Sequence, residues 1–188
     1  MRQYGYPERS LDQIRRAVGN AAANQIRKSL PEGTDEAVVQ ELLPVYKAYY
    51  TDHCQIRTKP YAGVEEALAV LKERYPVAIV SNKPDAAVKE LCAHYFPGTY
   101  ALGEAADCPR KPAPDMVFKG MRAIGADRCV YVGDSEVDIL TAKNAGVPCV
   151  CVLWGFRRRE ELGEAENVVF CEDTANLIEC IEELIHGQ

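Results

Sequence analysis

The chain has 188 residues, an ordinary apolar share of 47% and a net charge of -6. That length suits one domain, or a core with a small second domain. The acidic balance disfavours nonspecific nucleic-acid binding, which needs a basic face, and no run of about 18 apolar residues is present to span a membrane.

The first residues, Met1-Arg2-Gln3-Tyr4-Gly5-Tyr6-Pro7, lack the apolar segment of a secretion signal, so the cytoplasm is the expected compartment. None of the eight cysteines forms a C-x-x-C pair. Free thiols used as small apolar side chains are expected. Cys149 and Cys151, two apart in an apolar run, should share one face of a strand.

The first third predicts helices. Ser10-Leu11-Asp12-Gln13 is a capping-box pattern, with a hydroxyl and an amide three residues apart. Leu11, Ile14 and Val18 follow at helical spacing until Gly19-Asn20 breaks the run. Residues 21–30 predict a second short helix, stopped by Pro31-Glu32-Gly33. Thr34 is placed to cap a third, with Asp35 and Glu36 suited to the positive end of its dipole. Val38, Leu42, Val45, Tyr46 and Tyr49 give that helix an apolar face, and Pro44 should kink it. With no strand pattern, residues 1–58 read as a small helical cap.

From Lys59-Pro60-Tyr61 onward, helix and strand alternate. Helices are predicted over residues 63–74, 84–95, 114–124, 136–144 and 174–185. Strands are predicted over 77–80, 99–102, 129–132, 147–153 and 167–170. Val77 to Val80 is wholly apolar, as in a strand buried on both faces. Such alternation argues for a parallel sheet covered by helices on both faces. The fold class is therefore α/β: a doubly wound, Rossmann-like parallel sheet over residues 59–188, with the helical cap before it.

Ligands of such sheets bind beyond the carboxyl ends of the strands. Ser81 and Asp134 each follow an apolar strand run directly and precede a helix start, whose unpaired amides suit a phosphate. Ser81 and Asn82 can hold a phosphoryl oxygen. Lys111, in Arg110-Lys111-Pro112-Ala113-Pro114-Asp115, can neutralise charge that develops on transfer. Asp134 and Asp138 are hard oxygen ligands of the kind magnesium prefers, and Gly133 permits close backbone approach. Singly, each has a plainer explanation: a helix cap for the serine, a turn for Asp134, a solvated surface for Lys111 and Asp138. The three together rarely arise by accident.

With these motifs the chain resembles the haloacid dehalogenase superfamily of phosphohydrolases, and within it the phosphoglycolate phosphatase-like group. Val80-Ser81-Asn82-Lys83-Pro84 matches the second family motif, Lys111-Pro112-Ala113-Pro114-Asp115 the third, and Gly133-Asp134-Ser135-Glu136-Val137-Asp138 the fourth. The resemblance implies hydrolysis of a small phosphorylated metabolite with magnesium as cofactor. An aspartate would attack phosphorus and form an aspartyl-phosphate. A second aspartate two residues later would act as acid and base. Ser81 would bind a phosphoryl oxygen and Lys111 would pair with nucleophile and phosphate. Asp134 would hold the metal with Asp138 in support, and the cap would close over the site.

The first family motif, Asp-x-Asp-Gly-Thr after the first strand, is absent, and no Asp-x-Asp occurs in the chain. Residues 1–7 instead resemble the end of the first cap helix. The missing strand, loop and part of a helix would amount to about 20–30 residues. They belong in the middle of the family's sheet, so their absence would leave strand edges unpaired. Loss of a nucleophile that acts within a unit costs on the order of a millionfold in rate. A truncated start is expected, and with it an inactive chain. The alternative is a non-catalytic member that binds a phosphorylated ligand or a partner. Arg157-Arg158-Arg159, followed by Glu160-Glu161, reads as a solvated charged face.

Overall fold

A computed structural model describes residues 1–19 and 21–187; Asn20, half of the expected break, lies outside the described residues. The chain opens with a 3-10 turn, Arg2–Tyr4, followed by three helices: α1 (Leu11–Ala17), α2 (Ala22–Ser29) and α3 (Glu36–His53). The capping box of α1 forms as read. Ser10 Oγ accepts from the Gln13 amide at 3.3 Å, and the Gln13 side chain accepts from the Ser10 amide at 2.9 Å. The cap of α3 is Asp35, not Thr34. The Asp35 carboxylate accepts from the Ala37 amide at 2.8 Å, while the Thr34 hydroxyl turns back to the Pro31 carbonyl. A charged acceptor beside the first free amides is the stronger partner. Helix α3 runs unbroken through Pro44. Ile26, Leu30, Val39 and Leu42 give α2 and α3 an apolar cluster of their own.

Strands and helices then alternate: α4 (Val64–Arg74), β1 (Ala78–Pro84), α5 (Asp85–Tyr95), β2 (Tyr100–Glu104), α6 (Asp115–Ala123), β3 (Tyr131–Gly133) and α7 (Glu136–Ala145). After these come β4 (Cys149–Val152), the short α8 (Arg159–Leu162), β5 (Val168–Cys171), a 3-10 turn at Thr174–Asn176 and α9 (Leu177–His186). All strand pairs are parallel. β1 pairs with β2, Ala78 facing Tyr100; β4 lies between β3 and β5, Cys149 facing Tyr131 on one side and Val168 on the other.

The winding is double because β4 alternates its faces. Val150 and Val152 pack with Leu71 of α4 and with Leu177 and Ile181 of α9. Cys149, on the opposite face, packs with Val117 of α6 and Ala142 of α7. All eight cysteines are free. No helix among the described residues is long and apolar enough to cross a membrane.

The sheet stands in two pieces. Between β1 and β3 runs an apolar slot of about 750 Å³, walled by Ile79 and Val80 on one side and Tyr131 and Val132 on the other. Leu71 from one helical layer and Val117 and Met121 from the other line it. It lies between the two pieces and reaches from one helical layer to the other.

Candidate functional site

The polar residues singled out in the sequence converge at the carboxyl ends of β1 and β3. They arrive there because Lys111 is held by both pieces of the sheet. Asn82, buried near the end of β1, clips the Lys111 backbone: its Oδ1 accepts from the Lys111 amide at 2.9 Å and its Nδ2 donates to the Lys111 carbonyl at 3.0 Å. The Lys111 ammonium then reaches across to Asp138 on α7, at 2.7 Å from Oδ1, and to the Tyr131 hydroxyl on β3 at 3.1 Å. A planar amide with one donor and one acceptor suits a peptide unit, so Asn82 fixes the loop and its polar atoms are already engaged.

Ser81 lies inside β1, which continues to Pro84 rather than ending at Val80. The polar run Ser81-Asn82-Lys83 belongs to the strand because pairing with β2 resumes beyond it: Val80 faces Leu102 and Pro84 faces Glu104, with a shift of register between them. Ser81 Oγ accepts from the Lys83 amide at 3.2 Å; its hydroxyl proton has no acceptor among the described residues and can serve a phosphoryl oxygen. The expected help from the start of α5 is weak. That helix carries Asp85 in its first turn, which already answers the helix's preference for negative charge. Helix α7 likewise opens with Glu136 and Asp138. Positive charge at the site therefore comes from lysines.

Asp138 is buried and saturated. Its Oδ1 accepts from Lys111 and, at 3.1 Å, from Tyr131; its Oδ2 accepts from Ser135 at 2.6 Å and from the Asp134 amide at 3.2 Å. Burial alone would lift its pKa, but the Lys111 charge and these hydrogen bonds hold it below the ordinary carboxylate range. Burial opposes the Lys111 charge too, yet Asp138 and Tyr131 keep that ammonium above its usual value. Asp134 is different. Burial pushes it up, further than the Phe156 amide, donating to Oδ2 at 2.8 Å, pulls it down. It is a carboxylate whose charge would be relieved by a cation. Gly133 and Gly155 make room for these acids: a Cβ at Gly133 would collide with the Asp138 side chain, and one at Gly155 with that of Asp134.

This donor set fits magnesium in one respect and limits it in another. No cluster of three His, Cys, Asp or Glu side chains exists among the described residues to cage an ion. Magnesium commonly takes only one or two carboxylates and completes its octahedron with water and phosphate oxygens. Asp134 fits as such a ligand; Asp138, with both oxygens engaged, supports the site by holding Lys111 and the Asp134 backbone.

Sequence reading passed over three residues. Tyr131 closes the Lys111–Asp138 pair and looks in sequence like any aromatic residue of a buried strand. Lys83 has no ion-pair partner among the described residues, and burial together with the neighbouring Lys111 charge lowers its pKa. The signal was present, since Lys83 directly follows Ser81 and Asn82. Arg157 departs from the solvated face expected over residues 157–161, whose other four residues are exposed: it is only 6% exposed, because its fork is taken up by Glu136 and by the Val18 carbonyl beyond α1.

Residues 1–152 match the haloacid dehalogenase-like hydrolase family. A phosphoglycolate phosphatase of Rhodobacter capsulatus is 34% identical over 169 residues, covering 84% of this chain and 75% of that protein. One from Mesorhizobium japonicum is 33% identical over 186 residues, covering 93% of this chain and 81% of that protein. A crystal structure from Lactobacillus delbrueckii subsp. bulgaricus, provisionally named phosphoglycolate phosphatase, superposes with a TM-score of 0.87 at 33% identity, covering 96% of this chain and 87% of the other.

Proposed function

The chain belongs to the haloacid dehalogenase-like hydrolases, and from that premise we propose that it forms the phosphate- and magnesium-binding body of a phosphomonoester hydrolase. Residues 1–58 serve as the cap and residues 59–188 as the core. The observation that carries this proposal is the grip on Lys111: Asn82 of β1 holds its backbone and Asp138 of α7 its ammonium.

In this function Ser81 donates its hydroxyl to a phosphoryl oxygen, and Lys111 and Lys83 offset the phosphate charge. Asp138 keeps Lys111 charged and aimed. Asp134 would hold magnesium, which when bound would supply Lewis-acid neutralisation of phosphate charge. The substrate is a small phosphorylated metabolite; the names of the relatives point to phosphoglycolate. Attack through an aspartyl-phosphate needs a further carboxylate, because Asp138 is consumed by its partners and no Asp-x-Asp occurs in these 188 residues. The walls of the slot end at Val80 and Val132, just before Ser81 and Asp134 in the chain, and a nucleophile-bearing strand would seat there. By itself the chain is expected to bind phosphate without appreciable turnover.

Calorimetry and thermal unfolding with inorganic phosphate and magnesium test the binding. Saturation near a hundred times Kd should raise Tm by about 5–10 °C, and Lys111→Ala or Asp134→Asn should abolish most of that rise. Unchanged stabilisation in both variants would reject the site. The chemistry is tested by adding a strand that ends in Asp-x-Asp-Gly-Thr to the N-terminus and following phosphate release from phosphoglycolate. The missing Asp-x-Asp also favours a second reading, a phosphate-binding member without turnover; it predicts the same stabilisation and no release even from the extended chain.

A further inference from the structure

Tyr131 lies outside all three motifs, yet its hydroxyl is built into the candidate site. The Lys111 ammonium, Asp138 Oδ1 and the Tyr131 hydroxyl form a closed triangle. Its sides are 2.7 Å from ammonium to carboxylate and 3.1 Å from each of these to the hydroxyl. The direction of each bond is forced. An ammonium only donates and a carboxylate only accepts, so the hydroxyl accepts from Lys111 and gives its one proton to Asp138.

The phenol stands on a rigid base. Tyr131 is buried, its amide donates to the Pro148 carbonyl at 2.9 Å, and its backbone pairs with Cys149 of β4. Its side chain packs with Val117 of α6 and Ala142 of α7. A strand holds a group more precisely than a loop does. Lys111 comes from a loop and carries its charge on a flexible stem; Asn82 fixes only its backbone. With Asp138 as sole partner the ammonium could still turn about that one bond. A second partner fixed on β3 stops the rotation. An ammonium has three N–H donors, and these two partners are the ones that engage it among the described residues. At least one N–H is therefore left for a ligand, and with rotation stopped it has one direction.

We propose that Tyr131 is a positioning residue for phosphate binding: its hydroxyl orients the Lys111 ammonium so that the remaining N–H is presented to a phosphoryl oxygen. This rests on the phosphate reading of Lys111 and deepens it. The motifs supply the cation and its counter-ion, and a residue outside them sets the direction of the cation. Tyr131 itself acts through Lys111 and does not touch the ligand.

Tyr131→Phe isolates the hydroxyl. The ring, whose centroid lies 5.7 Å from the ammonium, is kept. No buried charge is stranded, because Asp138 retains Lys111, Ser135 and the Asp134 amide. The variant should fold, with Tm within about 5 °C of the wild type. Calorimetry with inorganic phosphate at fixed magnesium should show Kd raised about three- to tenfold. The second readout is one that a merely structural role would not move: the nitrogen–proton NMR signal of the Lys111 ammonium, assigned by its loss in Lys111→Ala. In Tyr131→Phe its protons should exchange with water several-fold faster, since one acceptor is gone. A Kd equal to that of the wild type overturns the proposal, and so does a raised Kd with an unchanged ammonium signal, because the hydroxyl then acts by another route. Should Tyr131→Phe fail to fold, the wild-type chain decides: phosphate should shift the carbon resonance of the hydroxyl-bearing Tyr131 carbon, and no shift overturns the proposal. A wild-type chain that binds no phosphate overturns the phosphate reading together with this one. Binding by the wild type with no loss in Tyr131→Phe overturns this one alone.

Discussion

β4 and the first three residues of β1 are both short apolar runs beside helices, yet they are buried to different degrees. All four residues of β4 are buried, Val150 and Cys151 completely. β4 has a parallel neighbour on each edge and helices over each face. Ala78, Ile79 and Val80 of β1 are no less apolar, but all three are only half-buried, because β2 pairs with one edge and the slot lies along the other. An apolar run states that a strand expects cover; how much it receives depends on what stands beside it.

Charge insertion breaks this comparison most sharply. Val150→Asp places an unpaired carboxylate where nothing can solvate it and should cost about 4 kcal/mol or more. The same change at Ile79 is eased by the open slot and should cost about 1–2 kcal/mol. Urea midpoints measure both, and equal losses would mean that β1 is as closed as β4. Amide exchange sharpens the point without mutation: the β1 amides turned toward the slot should exchange far faster than any in β4.

The two carboxylates of the site repeat the contrast on a smaller scale. Asp138→Ala leaves Lys111 charged in a buried place and should cost about 3–5 kcal/mol. Asp134→Asn removes a charge that burial already disfavours and should cost less than about 1 kcal/mol or even stabilise. The signs of their pH dependence differ accordingly. The depressed pKa of Asp138 gives stability that is fully present above the unfolded value and is lost as pH falls through the folded one. The raised pKa of Lys111 gives stability that is present below its unfolded value and is lost as pH rises through the folded one. Asp134, raised, works against stability once ionised, so its contribution improves on acidification. Unfolding curves of Asp138→Ala and Asp134→Asn across the acid range should therefore diverge from the wild type in opposite directions.

Legibility in the sequence follows the range of the forces involved. The helices and the positions of the strands along the chain were readable because periodicity and turn residues act locally. Lys111, Asp134 and Asp138, singled out by their short motifs, lie together in the structure through Asp138, which accepts from the Lys111 ammonium and the Asp134 amide. The end of β1 was not readable, because Ser81-Asn82-Lys83 looks like a loop until β2 is placed beside it. The clip between Asn82 and Lys111 joins residues 29 apart, and Arg157 meets the Arg15 carbonyl from 142 positions away. Nothing in Arg157-Arg158-Arg159 distinguishes the arginine that folds inward. The slot was legible only as a strand that the sequence did not contain.

A comparably small effect concerns α1, which is secured by a local device at one end and a distant one at the other. At its start, Ser10 and Gln13 cap one another within four residues of exposed chain. Ser10→Ala should cost about 1 kcal/mol, read as a fall in Tm of about 2–4 °C, because one amide is returned to water. It should leave the far end of the helix docked, since the Arg15, Arg16 and Val18 carbonyls keep their hold on Arg157. Exchange at residues 10–13 should then quicken while residues 16–19 stay protected. If both ends loosen together, α1 is one rigid unit and the two devices share a single stability; if only the start does, the far end of α1 is held from the core side, independently of how well its start is capped.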